Sequence, residues 1–524
     1  MGALGSVGHF WRLAHAGFVL AREGVFSDVD AASLPPTARL PLALARLVAR
    51  AGVAPPSSRL AIAIGKLGPS YVKLGQFLAT RPDVVGPTVV RDLEFLQDRM
   101  EPFSQQIAEE RVVAAFGRPL DEVYTQFGTS VAAASIAQVH RARVRDANGE
   151  RDVAVKILRP GIQARFTRDL MDMYAAARLA EKHLPDADRL RPVEVVDTLA
   201  RSVRMEMDFR LEAAAASEFA ENVVDDPDFR IPTIDWDRTT KDVLTLEWID
   251  GIPLSDLTAL ERAGYDLPRL GRIVIQSFLR HALRDGFFHA DMHQGNLFVD
   301  TTGRLVAVDF GITGRLGPKE RRFLAEILFG FITRNYRRVA EVHFEAGYVP
   351  ETFSIEDFSQ AVRAIGEPIH SRTADQISMA KLLTLLFEIT ALFDMKTRTE
   401  LVMLQKTMVV VEGVGRTLDP KLDLWSTAEP VVRAWIEENL GPRGKLEDAG
   451  RNLSTLARFA NNLPEVLLRG ERLLERLENL SSEGFDLSAR TVERVGRAEA
   501  QRALFGHTAL WVIAVLMAIA LWLR

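Results

Sequence analysis

The stretch His289-Ala290-Asp291-Met292-His293-Gln294-Gly295-Asn296, followed at positions 309–311 by Asp-Phe-Gly, decides the fold of this 524-residue chain. Asp291 and Asn296 stand at the D-x-x-x-x-N spacing of a phosphoryl-transfer loop, in which a carboxylate faces the attacking hydroxyl or water and an amide oxygen ligates a metal. Asp309 follows Asp291 by eighteen positions and adds a second hard oxygen ligand of the kind Mg²⁺ prefers. Residues 304–308 read as a short buried strand that delivers Asp309 to its end, with Leu297, Phe298 and Val299 as the hairpin mate. An isolated Asp-Phe-Gly occurs by chance in many loops, but the spaced loop, the strand pair and the triplet together are hard to obtain by accident. His289 and His293, four apart beside a carboxylate, also leave zinc open. A zinc site needs a third protein ligand, however, and this run ends in Gly295-Asn296 and leads into a strand.

A lysine on an upstream strand should reach the nucleotide phosphates. Asp152-Val153-Ala154-Val155-Lys156-Ile157-Leu158 supplies it, with period-two alternation and Lys156 as the candidate. A phosphate-covering loop should precede that strand, yet Ala132, Ala133, Ala134 and Ser135 stand where a G-x-G-x-x-G is expected. Alanine resists the positive φ that lets glycine approach phosphates and favours helix or a stiffer turn, so nucleotide binding should differ from that of a protein kinase. Residues 244–251 read as the hinge, where Glu247 and Trp248 offer backbone groups and apolar surface to an adenine. Residues 268–287 read as the helix entering the catalytic loop, with Ile273, Val274, Ser277, Phe278 and Ala282 on one face.

Two further motifs complete the set. Lys73-Leu74-Gly75-Gln76 lies in an amphipathic segment, and Glu206-Met207-Asp208-Phe209-Arg210-Leu211-Glu212-Ala213-Ala214 combines an E-x-D with a downstream glutamate and alanines. Over residues 60 to 420 the chain resembles the UbiB/ADCK atypical kinase family, whose bacterial members support ubiquinone biosynthesis and whose mitochondrial members do the same for coenzyme Q. The resemblance implies that Glu212 pairs with Lys156, and that Lys73 and Gln76 belong to an N-terminal extension folded over the cleft. It implies further that Glu206 and Asp208 hold that extension down, and that the cover blocks protein substrates. Lys156 and Asp291 would be catalytic, Asn296 and Asp309 would bind Mg²⁺, and ATP would be the nucleotide. The family's loop usually carries proline where this chain has Gln294, which leaves the metal-binding spacing intact and loosens the turn.

The expected fold class is α+β: a protein-kinase-like two-lobed fold with an N-terminal helical extension and a C-terminal transmembrane helix. Its expected parts are the extension 1–125, an N-lobe 126–250, a C-lobe 251–440, an amphipathic stalk 441–502 and a membrane helix 503–523. Ala503 to Leu523 carries no formal charge over 21 residues, about 31 Å as a helix, with Trp511 and Trp522 near its ends. Arg490, Arg494, Arg497 and Arg502 precede it and only Arg524 follows, so a bacterial inner-membrane location with a cytoplasmic catalytic body is expected. A net charge of -5 without a basic stripe argues against nucleic acid, and the absence of cysteine excludes disulfides and thiolate chemistry. The expected partners are membrane lipid, polyprenylated quinone precursors and ubiquinone-biosynthesis enzymes. Two other readings stay open at this point: a small-molecule kinase, and a non-catalytic scaffold that binds nucleotide or lipid.

Overall fold

The computed structural model describes residues 3–441 apart from 30–35, 51–55, most of 80–99, 147–148, 184–190, 370–387, 391 and 396–398. The expected stalk beyond Gly441 and the apolar segment 503–523 lie outside the described residues. Among the described residues no helix is long and apolar enough to cross a membrane.

Four helices, α1 (Ala3–Arg22), α2 (Pro36–Leu47), α3 (Pro56–Leu67) and α4 (Pro69–Ala79), form the extension, and α5 (Gln105–Phe116) leads into the small lobe. The small lobe is built on β1 (Gln126–Ala133), β2 (Ala137–Asp146), β3 (Gly149–Leu158) and, after three helices, β5 (Val243–Glu247), in the order β1-β2-β3-β5. Alternation sorts the side chains of β3. Val153, Val155 and Ile157 are fully buried against Ala108 and Val112 of α5, which turns Lys156 to the opposite face. That face meets α6 (Ile162–His183), α7 (Pro192–Glu206) and α8 (Phe209–Asn222). α8 starts where the Asp208 side chain accepts from Arg210 N, and it buries Phe209, Glu212, Ala213, Ala216 and Phe219 at helical spacing.

The alanine-rich segment forms no helix. Ala132 and Ala133 end β1, and Ala134 N–H donates to Ala137 O at 2.8 Å, so the run is the tip of a hairpin with register shifts at Phe127/Ser130 and Ser130/Ala132. Pairing with β2 outweighs the helical preference of alanine.

The large lobe begins with the short strands β4 (Phe229–Arg230) and β6 (Gly251–Pro253), then α9 (Leu267–Arg280). Ile273, Val274, Ser277 and Phe278 of α9 are buried, and the helix continues in a π-turn over His281–Asp285 that ends at Gly286. Gly286 has φ +65, and a Cβ there would meet Leu316 O at 2.5 Å, so both backbone conformation and space require glycine. β7 (Phe287–His289), β8 (Leu297–Asp300), β9 (Leu305–Ala307) and β10 (Thr313–Arg315) follow. The anticipated hairpin is present, with Leu297 opposite Ala307 and Val299 opposite Leu305 in antiparallel register. Helices α10 (Pro318–Ile332), α11 (Tyr336–Glu345), α12 (Ile355–Ile369), α13 (Thr399–Leu418) and α14 (Leu424–Leu440) complete the described residues.

Two docking points matter for the site. α1 is tied to α6 by Arg12 Nε on Asp172 Oδ2 at 2.6 Å, with the Asp172 side chain only 1% exposed. In α4, a Cβ on Gly75 would stand 2.3 Å from Leu96 Cδ1 and 3.4 Å from Leu93 Cδ2, so a larger residue here would force Leu96 to shift. Gly75→Ala is expected to destabilise the protein by about 1–3 kcal/mol through overpacking, measured by chemical denaturation. An unchanged midpoint would show that Leu96 moves aside at no cost.

Candidate active site

Lys156 of β3 stands between two carboxylates. Its Nζ lies 2.8 Å from Glu212 Oε1 on α8 and 3.1 Å from Asp309 Oδ1 beyond β9, so one ammonium joins the small lobe to the large. Lys156 and Glu212 are 12% and 9% exposed, which makes this a largely desolvated pair. Burial lowers the affinity of Lys156 for its proton, but Asp309 and Glu212 outweigh that and raise it, so the ammonium stays charged. Burial also raises Asp309, and the positive charge of Lys156, helped by Lys73 and by Gly311 N–H, more than reverses this and holds its carboxyl well below the usual range. One ammonium cannot fully serve two carboxylates. Glu212, pushed up by burial and by Asp309 against the pull of Lys156, rises to about 7. Asp309 sits at φ +64, a left-handed conformation rare outside glycine and tolerated best by Asn and Asp. Such strain at the end of a strand is the mark of a position held for function.

The Glu212 shift has a checkable sign. A carboxyl raised in the fold contributes stability that is present below its ordinary value of 4.5 and lost as pH rises to about 7. Glu212→Gln is therefore expected to lose less stability than the wild type between those limits. The histidines His140, His281, His289 and His343, all lowered first by burial, act oppositely, because their contribution is lost as pH falls below 6.5. They are common to both proteins, so the difference in melting temperature between variant and wild type isolates Glu212. Parallel pH profiles would contradict the assignment.

The loop His289–Asn296 is held by side chains bonded to backbone groups. His289 is fully buried, with Nε2 3.2 Å from Val308 O and Nδ1 accepting from Asp291 N–H at 3.0 Å. Both ring nitrogens of this neutral imidazole are thus occupied, which removes the zinc reading of the His289/His293 pair. Asn296 Nδ2 donates to Asp291 O at 3.1 Å, which leaves Oδ1 as its remaining polar atom. The Asp291 side chain is about one-third exposed, 3.6 Å from His293 Nε2. An ionised Asp309 and the Asn296 carbonyl oxygen are the hard ligands that suit Mg²⁺. Among the described residues no group of three or more His, Cys, Asp or Glu is arranged to hold a metal. Gln294 is half-buried in the same turn, and a Cβ at Gly295 would meet His293 Cε1 at 2.9 Å.

Lys73 and Glu206 form a further contact between extension and lobe, 2.7 Å apart and 12% and 9% exposed. Asp208 does not join Glu206 there. Its carboxylate caps α8 and takes Arg210 Nη2 at 2.7 Å, because a side chain placed at an N-cap is committed to the helix start. Gln76 lies one turn after Lys73 on α4 and is half-buried. Glu206→Gln keeps the volume and removes the charge. It is expected to cost about 1–3 kcal/mol and to raise proteolytic sensitivity in α4, and an unchanged cleavage pattern would count against a hold-down role.

The hairpin tip is braced from outside its own strands. Arg159 Nε donates to Ala134 O at 2.9 Å, and Met100 N–H donates to Ala133 O at 3.2 Å, so the linker from the extension is stitched to the alanine tip. Ser135 is fully buried beside it. The hinge expectation needs correction in one respect. Glu247 N–H donates to Thr233 O at 2.8 Å and Trp248 N–H to Asp152 O at 3.3 Å, while the Glu247 carboxylate takes Arg230 Nη1 at 2.9 Å. These amide donors are committed inside the protein. The Trp248 ring carries the Arg141 guanidinium 4.8 Å from its centroid. Sequence reasoning also missed Thr407 of α13, whose buried hydroxyl donates to Ala290 O at 3.1 Å, a contact between residues 117 positions apart with no local signal.

The ABC1 atypical kinase-like domain matches residues 95–343, and the UbiB helical domain matches residues 362–423. A probable protein kinase UbiB of Marinobacter nauticus is 40% identical over 414 residues, 78% of this chain and 75% of the relative. Proteins of the same description from Histophilus somni and Xanthomonas euvesicatoria pv. vesicatoria are 39% and 38% identical, each over 78% of this chain and 76% and 75% of their own lengths. A solved structure, the complex of Rv3197 with erythromycin from Mycobacterium tuberculosis, is 25% identical with a TM-score of 0.48, covering 72% of this chain and 94% of that one. With Lys156, Glu212, Asp291, Asn296 and Asp309 assembled in a kinase-like cleft and this identity spread over most of its length, the chain belongs to the UbiB family of atypical kinase-like proteins.

Proposed function

We propose that the protein is a membrane-anchored, kinase-fold ATPase that uses ATP and Mg²⁺ to support ubiquinone biosynthesis by helping lipid-soluble polyprenylated quinone precursors reach the enzymes that modify them. The observation that carries the reading is the single ammonium of Lys156 held between Glu212 and Asp309 at 2.8 and 3.1 Å. Phosphoryl transfer depends on positioning and charge neutralisation, and these residues supply both. Lys156, kept protonated, binds phosphate oxygens. Asp309 and the Asn296 carbonyl would hold Mg²⁺, which when bound neutralises charge on the phosphates. Asp291, its backbone fixed by His289 and Asn296, orients the attacking water. Lys73, paired with Glu206 and near enough to lower Asp309, would cover the cleft from the extension and exclude a protein substrate.

The membrane side of the proposal is supported by the uncharged run 503–523 and its arginine-rich N-terminal flank. By the positive-inside rule, that asymmetry favours a catalytic body on the cytoplasmic side of a bacterial inner membrane, where ATP is found. The test is phosphate release by the full-length protein in liposomes, with and without Mg²⁺ and with and without a quinone-like phenol. Mg²⁺-dependent release that rises with lipid and phenol is expected. Transfer of label from ATP to a small molecule would favour a small-molecule kinase, and no release under any condition would favour a nucleotide- or lipid-binding scaffold.

A further inference from the structure

We propose that Thr407 is a positioning residue through which the helical domain holds the catalytic aspartate in place, an inference that rests on the hydrolytic reading above. Ala290, the residue before Asp291, is pinned through both of its backbone polar groups. Ala290 N–H donates to Ile312 O at 3.0 Å, in the segment that follows Asp-Phe-Gly, and Ala290 O accepts from Thr407 Oγ1 at 3.1 Å. The same hydroxyl lies 2.9 Å from Met403 O one turn back on α13, so its single proton is shared between its own helix and the catalytic loop. Thr407 is fully buried and Ala290 nearly so, at 4% exposed, so water cannot replace the donor.

The arm that carries the hydroxyl is itself fixed. α13 crosses α9 where two glycines meet: a Cβ on Gly271 would stand 3.1 Å from Gly415 O, and one on Gly415 would stand 3.0 Å from Ile275 Cδ1. α9 runs through the π-turn directly into β7 and His289, whose ring accepts Asp291 N–H. One helix of the matched helical domain is therefore locked to the helix leading into the loop and, two turns away, hydrogen-bonded to the residue before Asp291. With Asn296 Nδ2 on Asp291 O, the carbonyls of both Ala290 and Asp291 are held by side chains. Rotation of the Ala290–Asp291 peptide would turn the aspartate, and Thr407 on its carbonyl resists it together with His289 on its N–H.

The test compares Thr407→Val, which keeps shape and removes the hydroxyl, with Thr407→Ser, which keeps the hydroxyl. Thr417→Val serves as a control, because among the described residues Thr417 Oγ1 bonds backward along α13, to Gly413 O at 2.9 Å. All are full-length proteins in liposomes, assayed for kcat and KM for ATP and for amide exchange in the peptide covering 287–296. Thr407→Val is expected to lower kcat about tenfold, the rate equivalent of one lost hydrogen bond, with KM for ATP within about twofold and with faster exchange in that peptide. Thr407→Ser and Thr417→Val should match the wild type in both readouts. Wild-type kcat and exchange in Thr407→Val would overturn the proposal. So would a Thr407→Ser as impaired as Thr407→Val, because packing rather than the hydroxyl would then be at work. If the wild type itself releases no phosphate, the hydrolytic reading falls, and the exchange comparison alone decides whether Thr407 holds the loop.

Discussion

Asp309→Asn is expected to reduce Mg²⁺-dependent phosphate release by roughly 10²–10³-fold, the loss typical of removing one electrostatic stabiliser from a preorganised site, while leaving the fold intact. Asparagine tolerates φ +64 as aspartate does, so the strained backbone at this position remains accessible to the variant. The variant keeps an oxygen within reach of Lys156 but not the negative charge, which a divalent cation needs more than it needs the shape. Lys156 would then turn wholly to Glu212, the carboxylate that burial, with a smaller push from Asp309, now raises to about 7. Glu212 should in consequence titrate lower in Asp309→Asn than in the wild type. The measurement is phosphate release alongside a thermal melt. Wild-type release, or a variant that fails to fold, would contradict the role given to Asp309.

The second large effect concerns Lys156→Met. Removing the ammonium leaves Glu212 and Asp309 facing a site from which their shared counter-charge has gone. Breaking a desolvated pair costs about 3–5 kcal/mol, and the lower end applies here because the Asp309 side chain is 46% exposed and water reaches it. Glu212 meets the loss by binding a proton, so the penalty should be smaller at pH 6 than at pH 8. Lys156→Met combined with Glu212→Gln should lose less stability than the two single changes added together, because the double variant buries no unpaired charge. ATP affinity should fall at least about tenfold in either background, since the phosphate contact is gone. Urea denaturation at the two pH values checks the first part and nucleotide titration the second. Additive losses would mean that Lys156 and Glu212 are not coupled.

Much of this site could be read in the sequence because its parts lie on regular elements with local signals. Lys156 declared itself by the alternation of β3, and Asp309 by the short strand ahead of it. Glu212 followed from resemblance, and its geometry has a simple cause: one face of α8 carries Phe209, Glu212, Ala213 and Ala216 inward together. The resemblance groups Asp208 with Glu206 in one E-x-D. Between them, however, α7 ends and α8 begins, so one carboxylate faces Lys73 and the other caps a helix. The alanine tip was read by propensity, whereas its conformation is set by β2, by Arg159 and by the linker at Met100, all outside the run. Thr407 was invisible for the same reason: a threonine in a helix acquires meaning only from the loop that folding places beside it. The hinge was located by its apolar strand, but the pairing that consumes its amides comes from Thr233 and Asp152.

Quinone synthesis in a living cell tests most directly whether the chemistry of this cleft is what the protein contributes. In a bacterial strain deleted for its own member of this family, ubiquinone content would be quantified after expression of the wild-type chain or of Asp309→Asn at matched levels in the membrane fraction. Restoration by the wild type and none by Asp309→Asn is the predicted result. Full restoration by an Asp309→Asn protein that releases no phosphate from ATP would contradict the ATPase account and leave a scaffold in its place.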